Sequence, residues 1–413
     1  MSLLLGRRWR QRVLSAGVGL FCVTTVALFV RWIPRPYADR LGDIQAYCNA
    51  LPDTSLHYLF PSPKEAIEDA VRFYLGACWY ECAAGGACPE ESEVEQVKRD
   101  LREQGSGPGF RGAFAFDEEA WGFESNWANV WPRFWPPSLM LYGYEFFLAT
   151  MRARVRGTEF FVRFGDSSGA TTSGPLPVLG KARRTGMPHS GTCSDPILFK
   201  MGRWRHFTWL TYVDEARGSP RFADKKDAAV WRGVSTGGKA AYEGERMHPR
   251  ASLVIHMDRW KRSPILDVGV TAYVQGVENK WGTKSFLSRA QLAQYKMIIL
   301  AEGNDVSSGL KWALLSGSAV VMPPPTIDSW ARESKLVPWV HFIPVSPDFS
   351  DLEESVRWCL DHVEACEAVA KQAACHMARF LDASAESWTE REVLQRVARV
   401  LATYGGEGDD RGT

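Results

Sequence analysis

The chain has 413 residues, of which 45% are hydrophobic and 23% are charged, proportions that are ordinary for a globular protein long enough for two domains. Lys and Arg total 49 against 48 for Asp and Glu, so the formal charge is +1. This balance, and the lack of any run rich in Lys or Arg, argues against nucleic acid as a partner. The 17 tryptophans are unusual; aromatic faces suit sugar stacking, but we expect most of them to fill the core.

The amino-terminal segment predicts a membrane anchor. Residues 13–30 contain no charged side chain and would form about 27 Å of helix, enough to cross a bilayer. The preceding residues 1–12 carry four arginines and no acid, which favours a cytosolic tail and a lumenal body. A cleaved signal peptide is the alternative, although its apolar region would be shorter and no small-x-small cleavage site follows here.

The flanking segments fit a single-pass type II protein of the Golgi or ER membrane. Residues 31–45 would form a stem between the anchor and the catalytic body. Residues 405–413 would form a disordered polar tail. That tail carries no ER-retention signal, which favours the Golgi over the ER.

The cysteines predict disulfides in an oxidising compartment. One of the nine, Cys22, lies in the apolar run. An even number then remains, as up to four disulfides would require. Two clusters could instead bind zinc, but neither has paired C-x-x-C spacing with matching histidines, so we expect no metal. The remaining cysteines are Cys48, Cys78, Cys82, Cys88, Cys193, Cys359, Cys366 and Cys375.

The first half of the chain, residues 46–220, predicts helices followed by a short strand. Phe160–Phe164 reads as that strand, and a Gly-, Ser-, Thr- and Pro-rich surface loop follows at 168–192. The charged stretch 216–228 is a plausible hinge to the second half. Within 46–100, apolar side chains recur at helical spacing at Ala66, Ile67, Ala70, Val71 and Tyr74.

The second half, residues 221–404, predicts strands over Ser252–His256 and Ile265–Val270 and then a parallel βαβ unit. Its strands are Met297–Ala301 and Ala319–Met322. Ser307 and Ser308 are the candidate N-caps of the helix between them, with Gly317 at its C′ position. Further along, Ser350-x-x-Glu353 predicts a capping box that opens another helix.

Polar side chains follow the first strand of this unit, where the carboxyl ends of parallel strands form a ligand-binding crevice. A packing segment would have little need for so many of them. The cluster comprises Glu302, Gly303, Asn304, Asp305, Ser307 and Ser308.

Three stretches carry a family resemblance. They read EGNDVSSGLKWALLSGSAVVMPPPT from Glu302, LVPWVHFIPVSPDFSDLEESVRW from Leu336, and WRGVSTGG from Trp231. Together they resemble glycosyltransferase family 90, which includes CAP10-type enzymes, Rumi-like protein O-glucosyltransferases and lipopolysaccharide glycosyltransferases. The sequence of these stretches is most similar to the lipopolysaccharide-type branch. The resemblance is strong over residues 231–365 and essentially absent before residue 150.

The resemblance implies an α/β fold of the GT-B type, with two Rossmann-like lobes that contain parallel sheets. Residues 46–220 would form the acceptor-side lobe and residues 221–404 the nucleotide-sugar-binding lobe. The donor would be a UDP-sugar, and the acceptor a glycan or a protein hydroxyl.

The donor site is expected to work without a metal, because the sequence contains no Asp-x-Asp motif. Cationic side chains and hydroxyls must then neutralise the departing diphosphate. Arg250 matches a second family arginine, although Arg246 could compete for that role. Besides the crevice cluster above, the candidate donor-binding residues are Arg232, Gly233, Ser235, Thr236, Arg250 and Lys311. No cofactor is expected.

The catalytic base is predicted to be Asp166, which follows the Phe160–Phe164 strand as the family's catalytic aspartate follows a strand of its first lobe. Attack by a single displacement would invert the anomeric carbon. Asp195 is the fallback base. The surroundings differ from those of Rumi-like members, which have Asp-aromatic-Pro here, and those members carry an arginine at the position of Gly309. Lys311 is the candidate replacement for that arginine.

The sequence thus predicts a type II membrane glycosyltransferase that moves a sugar, with glucose or xylose favoured, from a UDP-sugar to a lumenal hydroxyl. A catalytically inactive, lectin-like glycan-binding membrane protein is the alternative. A hydrolase is disfavoured because nothing pairs two carboxylates and no Gly-x-Ser-x-Gly elbow occurs. Trp339 and His341 are predicted to be structural.

Overall fold

Two large β-sheets, of four and five strands, organise the part of the chain described by this computed structural model, and a separate two-stranded sheet pairs residues 183–184 with 327–328. The described residues lie in one compact unit, Tyr47–Thr413. The first sheet uses strands up to residue 198 and the second begins at residue 226, on either side of the predicted lobe boundary at residue 220, which itself stays a prediction. The structure describes residues 48, 63–104, 114–116, 146, 149–155, 158, 160–163, 174–185, 193–200, 219–237, 239–242, 248–381 and 383–404.

The strands are short and mostly buried on both faces, as parallel strands covered by helices are. Phe160, Phe161 and Val162, for example, are all buried, and the predicted strand there is confirmed. In chain order the strands are β1 (Phe114–Phe116), β2 (Phe160–Arg163), β3 (Val178–Gly180), β4 (Arg183–Arg184), β5 (Ile197–Leu198), β6 (Lys226–Val234), β7 (Leu266–Ala272), β8 (Tyr295–Ile299), β9 (Ala319–Met322), β10 (Ile327–Asp328) and β11 (Ile343–Pro344).

The first sheet has the order β1-β2-β3-β5. The β1 strand is antiparallel to β2, whereas β2, β3 and β5 are mutually parallel. Arg163 at the end of β2 is the register partner of Gly180 at the end of β3. The carboxyl ends of these two strands therefore lie at the same edge.

The second sheet is wholly parallel, with the order β11-β9-β8-β6-β7. From β6 the chain passes to β7 on one side and then returns to β8 on the other side. The direction of strand addition thus reverses between β6 and β8. The predicted βαβ unit is confirmed, since Met297 in β8 is the register partner of Ala319 in β9. Parallel α/β architecture is therefore established for the described residues.

The helices connect the strands and cover the sheets. Helix α9 returns from the carboxyl-terminal end of the chain to pack on α1. The helices are α1 (Pro63–Ala83), α2 (Glu91–Gln104), α3 (Lys239–Tyr242), α4 (Pro249–His256), α5 (Arg289–Leu292), α6 (Leu310–Leu315), α7 (Leu352–Asp361), α8 (Val363–Ala378) and α9 (Ala383–Thr403), with 3-10 turns at Phe222–Asp224, Met257–Trp260, Glu333–Lys335 and Arg379–Leu381.

Two sequence predictions about helices are wrong. The segment Ser252–His256 is not a strand but the end of α4, because the preceding His248 caps the helix by accepting a hydrogen bond from Ala251 N and Pro249 occupies its first turn. A short apolar run does not distinguish the two possibilities by itself. The capping box at Ser350 is also absent, since Asp351 occupies the N-cap of α7 and its carboxylate accepts instead from Ser346.

Helix α6 follows the prediction at its end but not at its start. Gly317 lies just past the helix with φ +70°, the left-handed conformation expected at C′. The N-cap position, however, is Gly309 and not Ser307 or Ser308. Every residue from Leu310 to Leu315 is buried, so this helix lies inside the fold.

The cysteines form four disulfides, as the sequence predicts. The pairs are Cys48–Cys375, Cys78–Cys193, Cys82–Cys88 and Cys359–Cys366. The six cysteines of the two clusters and their two further partners, Cys48 and Cys193, are therefore all in disulfides. Within the described ranges, no group of three His, Cys, Asp or Glu side chains could hold a metal ion.

The structure does not describe the membrane segments that the sequence predicts. Among the residues that the structure describes, no helix is both long and apolar enough to cross a membrane. The predicted tail 1–12, anchor 13–30, stem 31–45 and polar tail 405–413 lie outside the described residues and stay predictions.

A break in α1 is stabilised by a buried arginine from β4. Gly76 has φ 75° and ψ 165° inside the helix, a conformation that only glycine adopts easily. The carbonyls of the preceding turn accept from Arg183, at 2.6 Å for Phe73 O and 3.3 Å for Tyr74 O. Burial lowers the pKa of Arg183, and the charges of Asp328 and Asp195 oppose that effect.

Replacing Gly76 with alanine should destabilise the protein by about 1–3 kcal/mol, the cost of placing a side chain in this backbone region. Its Cβ would also lie 3.0 Å from Arg183 Nη1. Gly85→Ala is the control, because Gly85 has φ +86° but open space around it. Denaturant melts should show a larger loss for Gly76→Ala; equal losses would contradict a role for the Arg183 contact.

Candidate donor-binding site

The reversal of strand order in the second sheet predicts where a ligand binds. In open α/β sheets, ligands bind beyond the carboxyl ends of the strands at such a point. Here that edge lies after Val234 in β6 and after Ile299 in β8. The residues found there are Thr236, Arg250, Glu302 and Gly303, all of which the sequence predicts as donor-binding residues.

Arg250 joins the ends of the two central strands. Its Nη1 donates to Thr236 Oγ1, and its Nη2 donates to Ala301 O at 2.7 Å. Its backbone N–H donates to Glu302 O at 3.2 Å. The arginine reaches this edge because it lies in the first turn of α4, where the cap at His248 starts the helix. A cation is therefore held at the switch point of the sheet.

Gly303 is required by the close approach of these side chains. A Cβ at this position would lie 2.5 Å from Thr236 Oγ1 and 2.9 Å from Arg250 Nη1. Both atoms belong to the hydrogen-bonded pair described above. Any larger residue would displace the guanidinium or the hydroxyl.

Glu302 connects β8 to the segment after β9. Its carboxylate accepts from Thr326 N at 2.9 Å, from Thr326 Oγ1 at 2.5 Å and from Ile327 N at 3.2 Å. Burial raises the pKa of Glu302, and the donors on Thr326 and Ile327 act in the opposite direction. The carboxylate thus fixes the wall of the crevice, and its expected contact with ribose or sugar stays a prediction.

The loop that follows Gly303 has three buried residues, 305–307, between two exposed ones. Asn304 and Ser308 are exposed, whereas Asp305 and Ser307 are buried. Asp305 forms an ion pair with Lys181, with 2.7 Å between Oδ2 and Nζ. Lys181 follows β3 of the first sheet and carries no role in the sequence prediction.

Comparison with known proteins identifies the family. Residues 190–403 match the family described as "Glycosyl transferase family 90". The chain is 31% identical over 243 residues to "O-glucosyltransferase LpsA" of Dichelobacter nodosus, covering 59% of this chain and 68% of that protein. It is 36% identical over 233 residues to "Protein O-glucosyltransferase 2" of Danio rerio, covering 54% of this chain and 43% of that protein. The chain belongs to glycosyltransferase family 90.

Family membership confirms the resemblance seen in the sequence and establishes glycosyltransferase activity. The matched region, 190–403, contains the whole Arg250 cluster. The predicted base Asp166 precedes that region. Both Asp166 and Arg246, the competitor of Arg250, lie outside the described residues. Their roles in this family 90 enzyme stay predictions.

Arg232 is not brought into the Arg250 cluster. It lies within β6 and not after it, and Asp267 holds its Nη2 through both carboxylate oxygens at 2.9 Å. The Nη1 atom donates to Trp231 O and Asp267 O, and Nε donates to Ser285 O at 3.1 Å. All five N–H groups are thus used inside the enzyme, and phosphate binding by Arg232 stays a prediction.

Lys311 is likewise used inside the fold. Its side chain is 1% exposed, and Nζ donates to Glu333 Oε1 at 2.5 Å. Glu333 also accepts from the backbone N and hydroxyl of Ser329. The residue predicted to replace the arginine missing at Gly309 therefore anchors α6 to the 3-10 turn at Glu333–Lys335.

The turn after β6 depends on contacts that the sequence did not reveal. Ser235 Oγ accepts from Val274 N at 2.8 Å, which ties the turn to the end of β7. A Cβ on Gly237 (φ +124°) would overlap the His248 ring, so this glycine makes room for the helix cap. A Cβ on Gly233 would lie 2.6 Å from Cζ2 of the Trp231 ring, so this glycine makes room for the tryptophan. The His-Pro pair before Arg250 was a usable sequence signal for the start of α4.

Gly303→Ala should raise the KM for the sugar donor by about 10- to 100-fold, because overpacking of this kind costs about 1–3 kcal/mol and falls on Arg250 and Thr236. Gly85→Ala in the turn after α1 is the control, since nothing lies within 4 Å of a Cβ at that position. Steady-state kinetics should show little change in donor KM for that variant. Equal effects on KM would indicate general damage to the fold.

Asp267→Asn should weaken folding in a pH-dependent way. Burial by itself would raise the pKa of Asp267, but the hydrogen bonds from Arg232 and Lys284 outweigh it and lower the pKa to about 2. Because the folded pKa lies below the unfolded value, the ionised carboxylate contributes stability above pH 4 that is lost as the pH falls towards 2. Denaturant melts should therefore show a gap between wild type and variant that closes over this range. A difference in the free energy of unfolding that does not change with pH would contradict the lowered pKa of Asp267.

Proposed function

We propose that this family 90 enzyme transfers a sugar, glucose or xylose, from a UDP-sugar to a hydroxyl of a glycan or protein, without a metal and with inversion. The observation that carries the proposal is the Arg250 guanidinium held by Thr236 Oγ1 and Ala301 O at the switch point of the parallel sheet. Two relatives are named O-glucosyltransferases, which favours glucose.

Arg250 is proposed to bind the donor diphosphate. An arginine is always charged and presents several donors to phosphate oxygens, so it stabilises the negative charge that grows as UDP departs. Thr236, beside it, supplies a hydroxyl to the same oxygens. Asn304 and Ser308, the exposed residues of the adjoining loop, are placed to contact the nucleotide or the sugar.

The chemistry is a single displacement. The acceptor oxygen attacks the anomeric carbon, the bond from that carbon to the donor phosphate breaks, and UDP leaves with the bonding electrons. The acceptor's proton passes to a carboxylate base, for which we propose Asp166, three residues after the end of β2. Asp195 is less suitable, because it precedes β5 and lies close enough to buried Arg183 to affect its pKa.

The site of action is proposed to be the lumen of the Golgi or ER, with the enzyme held by a type II anchor at residues 13–30. The four disulfides support this, because disulfides persist in the oxidising secretory compartments. The arginines of residues 1–12 support a cytosolic amino terminus.

The test is a donor screen on the full chain in detergent. UDP release from UDP-glucose, UDP-xylose, UDP-galactose and UDP-GlcNAc is measured in EDTA with p-nitrophenyl glycosides and Ser-containing peptides as acceptors. We expect release from one donor that persists in EDTA. Arg250→Met should lower kcat/KM by about 100- to 1,000-fold, and Asp166→Asn should lower kcat by about 100- to 10,000-fold.

The control is Arg357→Met, which removes an exposed arginine that pairs with Glu353 on α7. It should leave both kcat/KM and kcat unchanged. Loss of activity on adding EDTA would contradict the metal-free mechanism. Glycan binding without UDP release from any donor would support the lectin-like alternative.

A further inference from the structure

A buried ion pair links the two sheets at the donor-binding edge. Lys181 directly follows β3 of the first sheet, and Asp305 lies on the loop between β8 and α6 of the second. The Nζ and Oδ2 atoms are 2.7 Å apart, and the two side chains are 3% and 7% exposed. Burying two charges is costly, and an apolar pair of similar size would stabilise a fold as well or better. Stability by itself therefore does not account for this pair.

The segments that follow Lys181 and Asp305 in the sequence are also joined to each other, through a separate two-stranded sheet. Arg183 and Arg184 of β4 pair with Asp328 and Ile327 of β10. The backbone N–H of Thr185 donates to Thr326 O at 2.7 Å. Thr326 is the residue that holds the Glu302 carboxylate, so residues 181–185 support the crevice loop both through Lys181 and through Thr326.

The ion pair begins at the acceptor side of the molecule. Gly180, which precedes Lys181, is the register partner of Arg163 at the end of β2. The proposed base Asp166 follows Arg163 by three residues in the sequence. Lys181 thus lies at the sheet edge where β2 and β3 end, and its ammonium contacts Asp305 on the loop after β8.

We propose that Lys181 and Asp305 are a positioning pair that sets the distance between the carboxyl-end edge of the first sheet, where β2 and β3 end, and the donor-binding loop of the second. The proposal rests on the function proposed above. A direct ion pair fixes the distance and direction between two elements, whereas an apolar contact lets them slide. Reacting atoms must come within about 3–3.5 Å, and a misplacement of about 1 Å can lower the rate about 100-fold.

Loss of the pair should therefore affect transfer more than donor binding. Transfer needs both sheet edges in register, whereas binding of UDP and hydrolysis of the donor by water need only the second sheet. A purely structural role would lower all three together, in proportion to the folded fraction.

The experiment compares wild type, Lys181→Met, Asp305→Asn and the double variant, as full chains, with UDP-glucose and the acceptor that wild type uses in the screen above. Transfer, donor hydrolysis without acceptor, the Kd for UDP and Tm are measured. For Lys181→Met we expect transfer to fall about 10- to 100-fold while hydrolysis and the UDP Kd change less than about threefold. The double variant should be no worse than either single variant, because both break the same contact.

Lys296→Met is the matched control, since Lys296 pairs with Asp227 at the amino ends of β8 and β6, the edge of the sheet opposite to the crevice loop. It should lower Tm without changing the ratio of transfer to hydrolysis. Lys181→Arg keeps the charge and changes the reach, so it should fold and still lower that ratio. If Lys181→Met does not fold, the ratio of transfer to hydrolysis in Lys181→Arg decides between a positioning role and a purely structural one.

A ratio of transfer to hydrolysis equal to that of wild type in the folded variants would overturn the positioning role while leaving the proposed function intact. A UDP Kd that rises as much as transfer falls would also overturn it and place Lys181 or Asp305 in donor binding instead. Absence of transfer in wild type would be a failure of the proposed function itself, and with it of this inference.

Discussion

The hydrogen bonds of Arg250 are the interaction on which the proposed donor-binding edge depends. One guanidinium joins the hydroxyl after β6 to a carbonyl after β8, across the two strands between which the sheet reverses its order. Three other features follow from it. Gly303 lacks a side chain because the guanidinium and hydroxyl fill that space. His248 caps α4 so that the arginine begins at this edge, and Gly237 leaves room for the His248 ring.

Buried charges around this edge have partners, and these partners come from distant parts of the chain. Lys311 contacts Glu333, Lys181 contacts Asp305, and Arg332 contacts Asp69 of α1. Because a buried charge without a partner is very costly, each pair fixes two segments relative to one another. Two of these pairs, Lys181–Asp305 and Lys311–Glu333, hold the loop after β8 and helix α6, which border the crevice. Such prearrangement is what the proposed binding of a charged donor requires.

The sequence was informative where local chemistry decides the structure and uninformative where the partner is remote. The β8-α6-β9 unit was predictable because apolar runs, turn residues and Gly317 lie side by side in the chain. The motif residues Thr236, Arg250 and Gly303 were predictable from the family resemblance, and the structure brings them together. Arg232 and Lys311 were expected at the crevice because nothing local shows that Asp267 and Glu333 engage them. The α4 helix was missed because its apolar run is too short for periodicity to distinguish helix from strand.

The return of α9 to α1 has a consequence for how the enzyme folds. Glu68 of α1 accepts from Arg396 of α9 through both carboxylate oxygens, across 328 positions of sequence. The disulfide between Cys48 and Cys375 closes a loop of similar length. During synthesis, α9 leaves the ribosome long after α1 and the strand β5 on which α1 also packs, and such distant contacts slow folding. The packing of α1 is thus completed only after α9 has been made.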